Sequence, residues 1–226
     1  LYFETDTPDE LRKSGFSKER RLEPQITVGL LADAAGFPLA VGAFEGNMAE
    51  TRTMVPMIQR FCSTYDVGAV TIVADAGMFS ASNKQAIIES GLDYILGVKF
   101  KYLPYPVDKW RQDNPGREYT DKQIWSIADR SGRGPAGQAH SITYYQYSND
   151  RARRTLKGID EQVAKAVKAV AGQIAIKHNR YVDLQAPGKR VNHELADKNR
   201  ALAGIKGYET SRTDLHASEV IACYRQ

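Results

Sequence analysis

The chain has 226 residues, of which 42% are hydrophobic and 26% are charged, and these values exclude wholesale disorder. A chain of this length buries a sizeable core without metals or disulfides. Its formal net charge of +4 is a weak pointer to an anionic partner. The two cysteines, Cys62 and Cys223, form no framework or metal pattern, which fits a reducing, cytoplasmic compartment. We see no signal peptide and no apolar run long enough to span a membrane.

The first hundred residues alternate short apolar runs with stretches of helical periodicity. A connector containing Gly36 joins two apolar runs and predicts an antiparallel hairpin. This order of elements indicates a mixed sheet flanked by helices. The predicted elements are hairpin strands over 26–33 and 37–44, a helix over 49–65, a strand over 69–75, a helix from 82 to 90 and a strand over 93–100.

The second half of the chain changes character. Prolines and glycines punctuate residues 101–140, and they predict little regular structure there. The chain begins at Leu1 and the last predicted helix looks unfinished, so we expect an internal piece of a longer protein. The predicted elements are a strand over 141–147, a long basic helix over 150–171, a helix over 191–203 ended by Gly204, a strand over 205–211 and a helix over 215–226.

Asp75 is the most informative residue of the sequence. It closes the apolar run 69–75, and the small residues Ala76 and Gly77 after it leave room for a bulky substrate. A carboxylate at the carboxyl end of a buried strand is a common place to hold a metal ion or a phosphate. The same pattern fits an aspartate that caps a helix or forms a turn. The residues alone leave both interpretations open.

A set of short motifs follows in order along nearly the whole chain. They are Leu1-Tyr-Phe-Glu4, Gly15-Phe-Ser-Lys-Glu-Arg-Arg21, Gln25-Ile-Thr-Val-Gly-Leu-Leu31, Gly36-Phe-Pro-Leu-Ala40, Phe44-Glu-Gly-Asn47, Val73-Ala-Asp-Ala-Gly-Met78, Gly91-Leu-Asp-Tyr-Ile-Leu-Gly97, Asp150-Arg-Ala-Arg-Arg154, Ile159-Asp-Glu-Gln162, Ala201-Leu-Ala-Gly-Ile-Lys-Gly-Tyr208 and Val220-Ile-Ala-Cys-Tyr-Arg-Gln226. No single motif would suffice, but the ordered set is specific. It resembles bacterial insertion-sequence transposases of the DDE type, in the IS four or IS sixteen-thirty-four groups.

The resemblance implies an α/β, ribonuclease H-like mixed sheet with flanking helices and an inserted, partly irregular basic subdomain. It implies that Asp75 is the second of three catalytic carboxylates and a metal ligand. The first would lie upstream of Leu1. The third, a glutamate in a signature that begins at Tyr224, would lie past Gln226. We therefore expect the first part of a catalytic core over 1–100, a DNA-contacting insertion over 101–204 and a return to the core over 205–226.

The expected cofactor is Mg²⁺ or Mn²⁺, and only with the complete carboxylate set. Cleavage and strand transfer by this route use two divalent ions that clamp the attacking and leaving oxygens. One carboxylate plus water holds Mg²⁺ poorly. We therefore expect the 226-residue chain alone to be inactive.

Other acids in the first half of the chain are candidates to support Asp75. Asp33 falls at the hairpin turn, where aspartate is usual for turn reasons alone. Glu45 follows the second hairpin strand, and we assign it a supporting role near Asp75. Glu4 and Asp6 remain further candidates.

Basic residues are concentrated in one segment. Residues 151–190 contain ten Lys or Arg and three acids. Such a face neutralises DNA phosphates through largely sequence-independent contacts with steep salt dependence, although charge runs are commonly no more than a solvated helix face. The residues assigned to DNA contact are Arg151, Arg153, Arg154, Lys157 and Lys165. We assign Trp110, Trp125 and most tyrosines of 144–147 to the core rather than to base stacking.

The leading interpretation is part of a bacterial, nucleoid-associated transposase that cleaves element ends and joins them to target DNA. Double-stranded DNA is then the partner, and the family implies a homodimer in the full-length protein. One alternative is a DNA-binding remnant without catalysis. Another is a metal-dependent α/β enzyme acting on a small phosphorylated metabolite. That alternative predicts regular strand–helix repeats after residue 100, against which the irregular, basic stretch argues.

Overall fold

The computed structural model describes residues 2–4, 9–15, 23–48, 50–68, 70–76, 81–130, 140–175, 179–183 and 188–225. Along the described residues, three strands precede the first helix, and the later helices are separated by one or two strands. The elements are β1 (Tyr2–Glu4), β2 (Gln25–Ala32), β3 (Pro38–Glu45), α1 (Glu50–Tyr65), β4 (Thr71–Ala74), α2 (Ala81–Glu89), β5 (Asp93–Val98), α3 (Tyr105–Asp113), β6 (Ile124–Asp129), β7 (Ser141–Tyr147), α4 (Asn149–Val170), β8 (Val182–Asp183), β9 (Arg190–Val191), α5 (His193–Ala201), β10 (Ile205–Thr210) and α6 (Ala217–Arg225).

The strands form three sheets. β1, β2 and β3 make an antiparallel sheet, and the predicted hairpin is confirmed because β2 pairs with β3 from Ile26↔Glu45 to Leu31↔Ala40. A mixed sheet has the strand order β4-β5-β10-β7-β6, in which β4 and β5 are parallel. β8 and β9 form a small antiparallel pair. The predicted class, a mixed α/β sheet with flanking helices, is confirmed.

By compactness the chain divides into two units. The first consists of Leu1–Gly97, Arg130–Ser141 and Tyr208–Gln226, and the second of Val98–Asp129 and Ile142–Gly207. This division does not test the expected domain boundaries 1–100, 101–204 and 205–226, which stay a prediction.

The core of the first unit is built from α1, α2, β4 and β5. The helix α1 buries Val55 and Ile58, whose spacing of three places both on one face of the helix. Ile72 from β4, Ile87 from α2 and Tyr94 from β5 complete this core. This packing holds the carboxyl ends of β4 and β5 side by side.

Two hydrophobic clusters are found among the described residues of the second unit. Val107, Trp125 and Ile205 form an aromatic-rich cluster, against which Trp110 and Tyr147 pack. The other joins the long helix α4 to α5 through Ile159, Ala166, Tyr181 and Ala196. The predicted core position is confirmed for Trp125, which is 8% exposed, while Trp110 is half-buried and contacts Trp125 edge to face.

Residues 101–140 hold more regular structure than their prolines predict. The helix α3 spans Tyr105–Asp113, with Pro104 as its N-cap residue and Pro106 in its first turn. The expectation of an almost structureless stretch was wrong, because a proline at a helix start costs no hydrogen bond that the helix would otherwise make. The strand β6 follows at Ile124–Asp129. Among the described helices, none has both the length and the apolar character that crossing a membrane requires.

Candidate functional site

Asp75 lies directly after β4, at the carboxyl end of that strand. β4 pairs in parallel with β5, and the last pair of the register is Ala74↔Leu96. Because the two strands run in parallel, Asp75 and Gly97, which follow Ala74 and Leu96, lie side by side at the same end of the sheet. The Asp75 carboxylate is exposed there. A predicted strand-end carboxylate is thus found where a substrate could reach it.

The hydroxyl of Tyr224 donates a hydrogen bond to Asp75, with 2.6 Å between Oη and Oδ1. Tyr224 belongs to α6, and its ring packs edge to face on Tyr208 with 5.0 Å between the centroids. Burial, and then the hydrogen bond to Asp75, raise the pKa of the Tyr224 hydroxyl well above its ordinary value. The hydroxyl therefore stays a neutral donor at physiological pH, and it orients the carboxylate.

Gly97 leaves the space in which Asp75 and Tyr224 meet. A Cβ on residue 97 would lie 2.6 Å from the Tyr224 Oη, 3.0 Å from the Ala76 backbone nitrogen and 3.1 Å from the Asp75 Oδ1. The first of these distances is shorter than real Cβ contacts allow, so any side chain at this position must displace the hydrogen-bonded pair. A glycine within a strand is commonly a sign of such close approach.

A cavity of about 960 Å³ opens beside Asp75 and is lined mostly by apolar residues, among them Ile58, Phe61 and Val73. Arg212 is the one basic side chain among the described residues that line it. Its guanidinium is engaged by Asp214, with 2.7 Å between Nη2 and Oδ2. The cavity therefore offers no unpaired cation to a phosphate group within the described residues.

The other candidate acids have partners of their own. Glu45 forms an ion pair with Lys13, with 2.9 Å between Nζ and Oε2, and this pair accounts for its carboxylate without Asp75. The Asp33 Oδ1 accepts hydrogen bonds from the backbone nitrogens of Ala35 and Phe37, so Asp33 forms the predicted hairpin turn. Asp6, the Glu4 side chain and Gly77 lie outside the described residues.

Asp75 is an oxygen ligand of the type that Mg²⁺ prefers, and it sits in the open at a strand end. Within the described residues, no three His, Cys, Asp or Glu side chains come together as a metal site. Asp75 therefore fits one position in the coordination of a divalent ion, and further ligands must join it there.

The five basic residues assigned to DNA contact all lie on α4. At about 100° per residue they occupy an arc of roughly 160°, on the side opposite the buried Ile159 and Ala166. Arg153, Arg154, Lys157 and Lys165 are exposed, and Arg151 is half-buried.

These basic residues differ in their contacts. Arg153 forms an ion pair with Asp150, with 2.9 Å between Nη2 and Oδ1. Arg151 donates from Nη1 to the Gly204 carbonyl oxygen over 3.4 Å. Arg154 donates from Nε to the Asp150 carbonyl oxygen over 3.2 Å. The structure thus places the five on one face but leaves them unequal as contacts for an anion.

Sequence reasoning missed the contact between Tyr224 and Asp75, and it missed the role of Gly97. Tyr224 was visible as the start of a motif, but no local pattern says which residue its hydroxyl meets. Gly97 carried a usable signal, because it interrupts an otherwise apolar strand.

The fold and the strand-end carboxylate define a mixed α/β domain of the ribonuclease H-like class. The model of the family described as "Transposase DDE domain" matches residues 4–226, and the chain belongs to this family. No curated protein and no solved structure matched the chain in the searches made.

Proposed function

We propose that this chain is part of a bacterial insertion-sequence transposase that cleaves DNA at element ends and transfers the freed strands to target DNA. The observation that carries the proposal is the exposed Asp75 at the end of β4, in a chain whose family match spans residues 4–226. Asp75 is the second carboxylate of a three-carboxylate set in this proposal. The first and third come from sequence that flanks these 226 residues.

Three described residues have separate tasks in this reaction. Asp75 presents a carboxylate oxygen at the strand end, and the Tyr224 hydroxyl fixes the rotation of that carboxylate through Oδ1. Gly97 keeps the space next to them open. When bound, Mg²⁺ or Mn²⁺ ions supply Lewis-acid stabilisation for the attacking and leaving oxygens of the phosphodiester.

In this proposal, duplex DNA binds to the face of α4 that carries the five basic residues. Arg151, Arg153, Arg154, Lys157 and Lys165 neutralise backbone phosphates, which gives affinity and register but little sequence selectivity. The surface pair of Arg153 with Asp150 does not prevent such contacts, because both side chains are at least 75% exposed and exposed pairs contribute little. Two transposon ends must be joined, so we propose a homodimer for the full-length protein.

The test compares two proteins on a labelled duplex that carries a transposon end. The 226-residue chain alone should bind this duplex and leave both strands intact in Mg²⁺. The longer protein encoded by the surrounding reading frame should nick it. Robust metal-dependent cleavage by the 226-residue chain would refute the need for flanking carboxylates.

The alternative of a metabolite-processing phosphoester enzyme has less support. A small phosphorylated substrate needs donors for its phosphate close to Asp75. The cavity at Asp75 is mostly apolar, and Arg212, its basic lining residue among those described, is held by Asp214. A DNA-binding remnant without catalysis stays open as the second candidate, and the cleavage assay with the longer protein separates it from a transposase.

A further inference from the structure

A second, smaller cavity lies in the second unit, between α4, the segment of Arg180 and Tyr181, and the end of α5. It has a volume of about 330 Å³, enough for roughly ten water molecules. Polar groups dominate its lining, in contrast to the apolar cavity beside Asp75. Arg154 and Gly158 of α4 lie on one side, and Arg180, Tyr181 and Asn199 lie on the other.

The two arginines of this cavity are oriented without being neutralised. Arg180 donates from Nη2 to the Asn199 Oδ1 over 3.2 Å, and Asn199 donates in turn to the Tyr181 hydroxyl over 3.0 Å. Tyr181 is 2% exposed, so this relay is anchored in the core. On the opposite side, Arg154 is held through Nε by the Asp150 carbonyl oxygen.

Three other arginines of the same unit are ion-paired, whereas Arg151 donates to the Gly204 carbonyl oxygen. Arg153 pairs with Asp150, Arg190 with Asp183, and Arg200 with both Asp160 and Asp197. Within the part of the chain that the structure describes, neither Arg154 nor Arg180 forms such a pair. Two guanidiniums on one cavity repel each other, and an anion between them would remove that repulsion.

Gly158 lines the same cavity from the middle of α4. A glycine inside a helix destabilises it by about 0.5–1 kcal/mol relative to alanine, so its presence calls for a reason. A Cβ on this residue would meet nothing within 4 Å, so no packing contact in the described residues demands a glycine. Its effect is to keep the wall of the cavity flat and open.

We propose that Arg154 and Arg180, which line this cavity together with Gly158, form a binding site for one phosphodiester group of the DNA backbone. The inference rests on the proposed function as a DNA-acting protein, and it adds Arg180 and Gly158 to the interface. Planar guanidiniums suit the task because each presents two parallel donors to phosphate oxygens.

The first test measures duplex binding of the 226-residue chain by fluorescence anisotropy between 50 and 200 mM salt. Arg154→Gln and Arg180→Gln should each weaken binding about tenfold at low salt and reduce the log–log salt slope by about 0.9. The double variant should lose no more slope than either single variant, because both side chains serve one phosphate. The matched control Arg190→Gln should change affinity less than about twofold, because Arg190 pairs with Asp183 and is not among the residues assigned to DNA contact.

The second test removes space instead of charge. Gly158→Leu fills the cavity with an apolar side chain that favours helix, so it should weaken DNA binding about fivefold or more while the thermal midpoint stays equal or rises. A diffuse electrostatic surface would not respond to this neutral substitution. Circular dichroism of every variant confirms that the fold is retained.

The outcomes separate this inference from the function on which it rests. Equal losses for Arg190→Gln and Arg154→Gln, or unchanged binding by Gly158→Leu, would overturn this phosphate site while leaving a DNA-binding protein. Complete absence of duplex binding by the wild type would overturn both. A parallel titration with inorganic phosphate is followed by NMR of the arginine side chains. If Arg154 and Arg180 respond to phosphate but their substitution does not change DNA binding, the cavity is a site for a free anion, and this result would contradict the assignment to DNA.

Discussion

At the scale of single residues, the site is a three-residue arrangement around one carboxylate. Asp75 was expected at the end of its strand, because an apolar run that ends on an acid followed by small residues is a local pattern. The partner of Asp75 was not predictable in this way. Tyr224 lies 149 positions further along the chain, and only the packing of α6 brings the two together.

Local sequence patterns are equally unable to predict the partner of Glu45. Its place after a strand suggested a role beside Asp75, but a strand end says nothing about which neighbour a flexible side chain meets. Lys13 lies 32 positions before Glu45 and takes its carboxylate. The aspartate of the hairpin turn behaved as expected, because turn chemistry is decided within four residues.

The contact between Tyr224 and Asp75 gives a testable coupling. Tyr224→Phe removes the donor and should lower the free energy of unfolding by about 1 kcal/mol. Gly97→Ala should destabilise by about 1–3 kcal/mol through overpacking and should abolish most of the further effect of Tyr224→Phe. Urea unfolding of the two single variants and the double variant measures this cycle.

Tyr102→Phe is the matched control for this cycle, because Tyr102 is 74% exposed and its substitution should change stability by less than about 0.5 kcal/mol. Additive effects of the Gly97 and Tyr224 substitutions would show that residue 97 does not serve the hydrogen-bonded pair.

At the scale of elements, periodicity and punctuation carried most of the information. The long helix was expected over 150–171 and is found as Asn149–Val170, since its apolar residues recur at helical spacing. Gly204, which was expected to end the next helix, has a φ of 85°, a conformation that glycine adopts without strain. The helix α3 was not predicted, because prolines commonly end helices, whereas Pro104 and Pro106 stand at the start of this one.

Gly158 gives a prediction for α4 alone. Gly158→Ala should raise the free energy of unfolding by about 0.5–1 kcal/mol, because a methyl group there meets open space and alanine favours helix. Chemical denaturation at neutral pH tests it. A loss of stability would show that the wall of the small cavity is more crowded than the structure has it.

The ion pair between Lys84 of α2 and Glu209 of β10 ties two elements of the first unit together. Burial opposes the ammonium, but hydrogen bonding and attraction to Glu209 outweigh it and raise the pKa of Lys84. Lys84→Met should therefore lower the free energy of unfolding by about 2 kcal/mol at neutral pH, because it leaves the Glu209 carboxylate, which is 20% exposed, without its ammonium partner.

The pH dependence has a defined sign. Because the pKa of Lys84 is raised, the stabilisation by its ion pair with Glu209 is complete below the ordinary lysine pKa near 10.5. It is lost as the pH rises through the raised pKa of Lys84. The stability difference between wild type and Lys84→Met should thus shrink above about pH 10.5. The control is Lys109→Met, whose pair with Asp113 is more than half exposed and should contribute little to stability at any pH.

At the scale of the whole molecule, charge and chemistry are divided between the two compact units. The carboxylate site lies in the first unit, and the basic arc of α4 lies in the second. Local composition indicated where the basic residues are concentrated, because ten Lys or Arg fall within 151–190. What composition left out is which of them are already paired, since that depends on the positions of acids such as Asp150 and Asp183.

The concentration of charge predicts how DNA binding responds to salt. Reversing Arg151, Arg153 and Arg154 to Glu should weaken duplex binding and flatten the dependence of log affinity on log salt, because fewer counterions are released. Fluorescence anisotropy across a salt series measures both quantities. An unchanged slope in the triple variant would place the DNA elsewhere on the molecule.

The most direct test of the central claim, that Asp75 is a metal-binding carboxylate of a transposase, is cleavage of a transposon-end duplex in Mg²⁺ by the proposed full-length protein. Asp75→Asn should reduce the cleavage rate at least about a hundredfold and leave duplex affinity unchanged. Asp33→Asn makes the same change of charge at the same cavity, and it should cleave at close to the wild-type rate. Cleavage by Asp75→Asn at the wild-type rate would contradict the account.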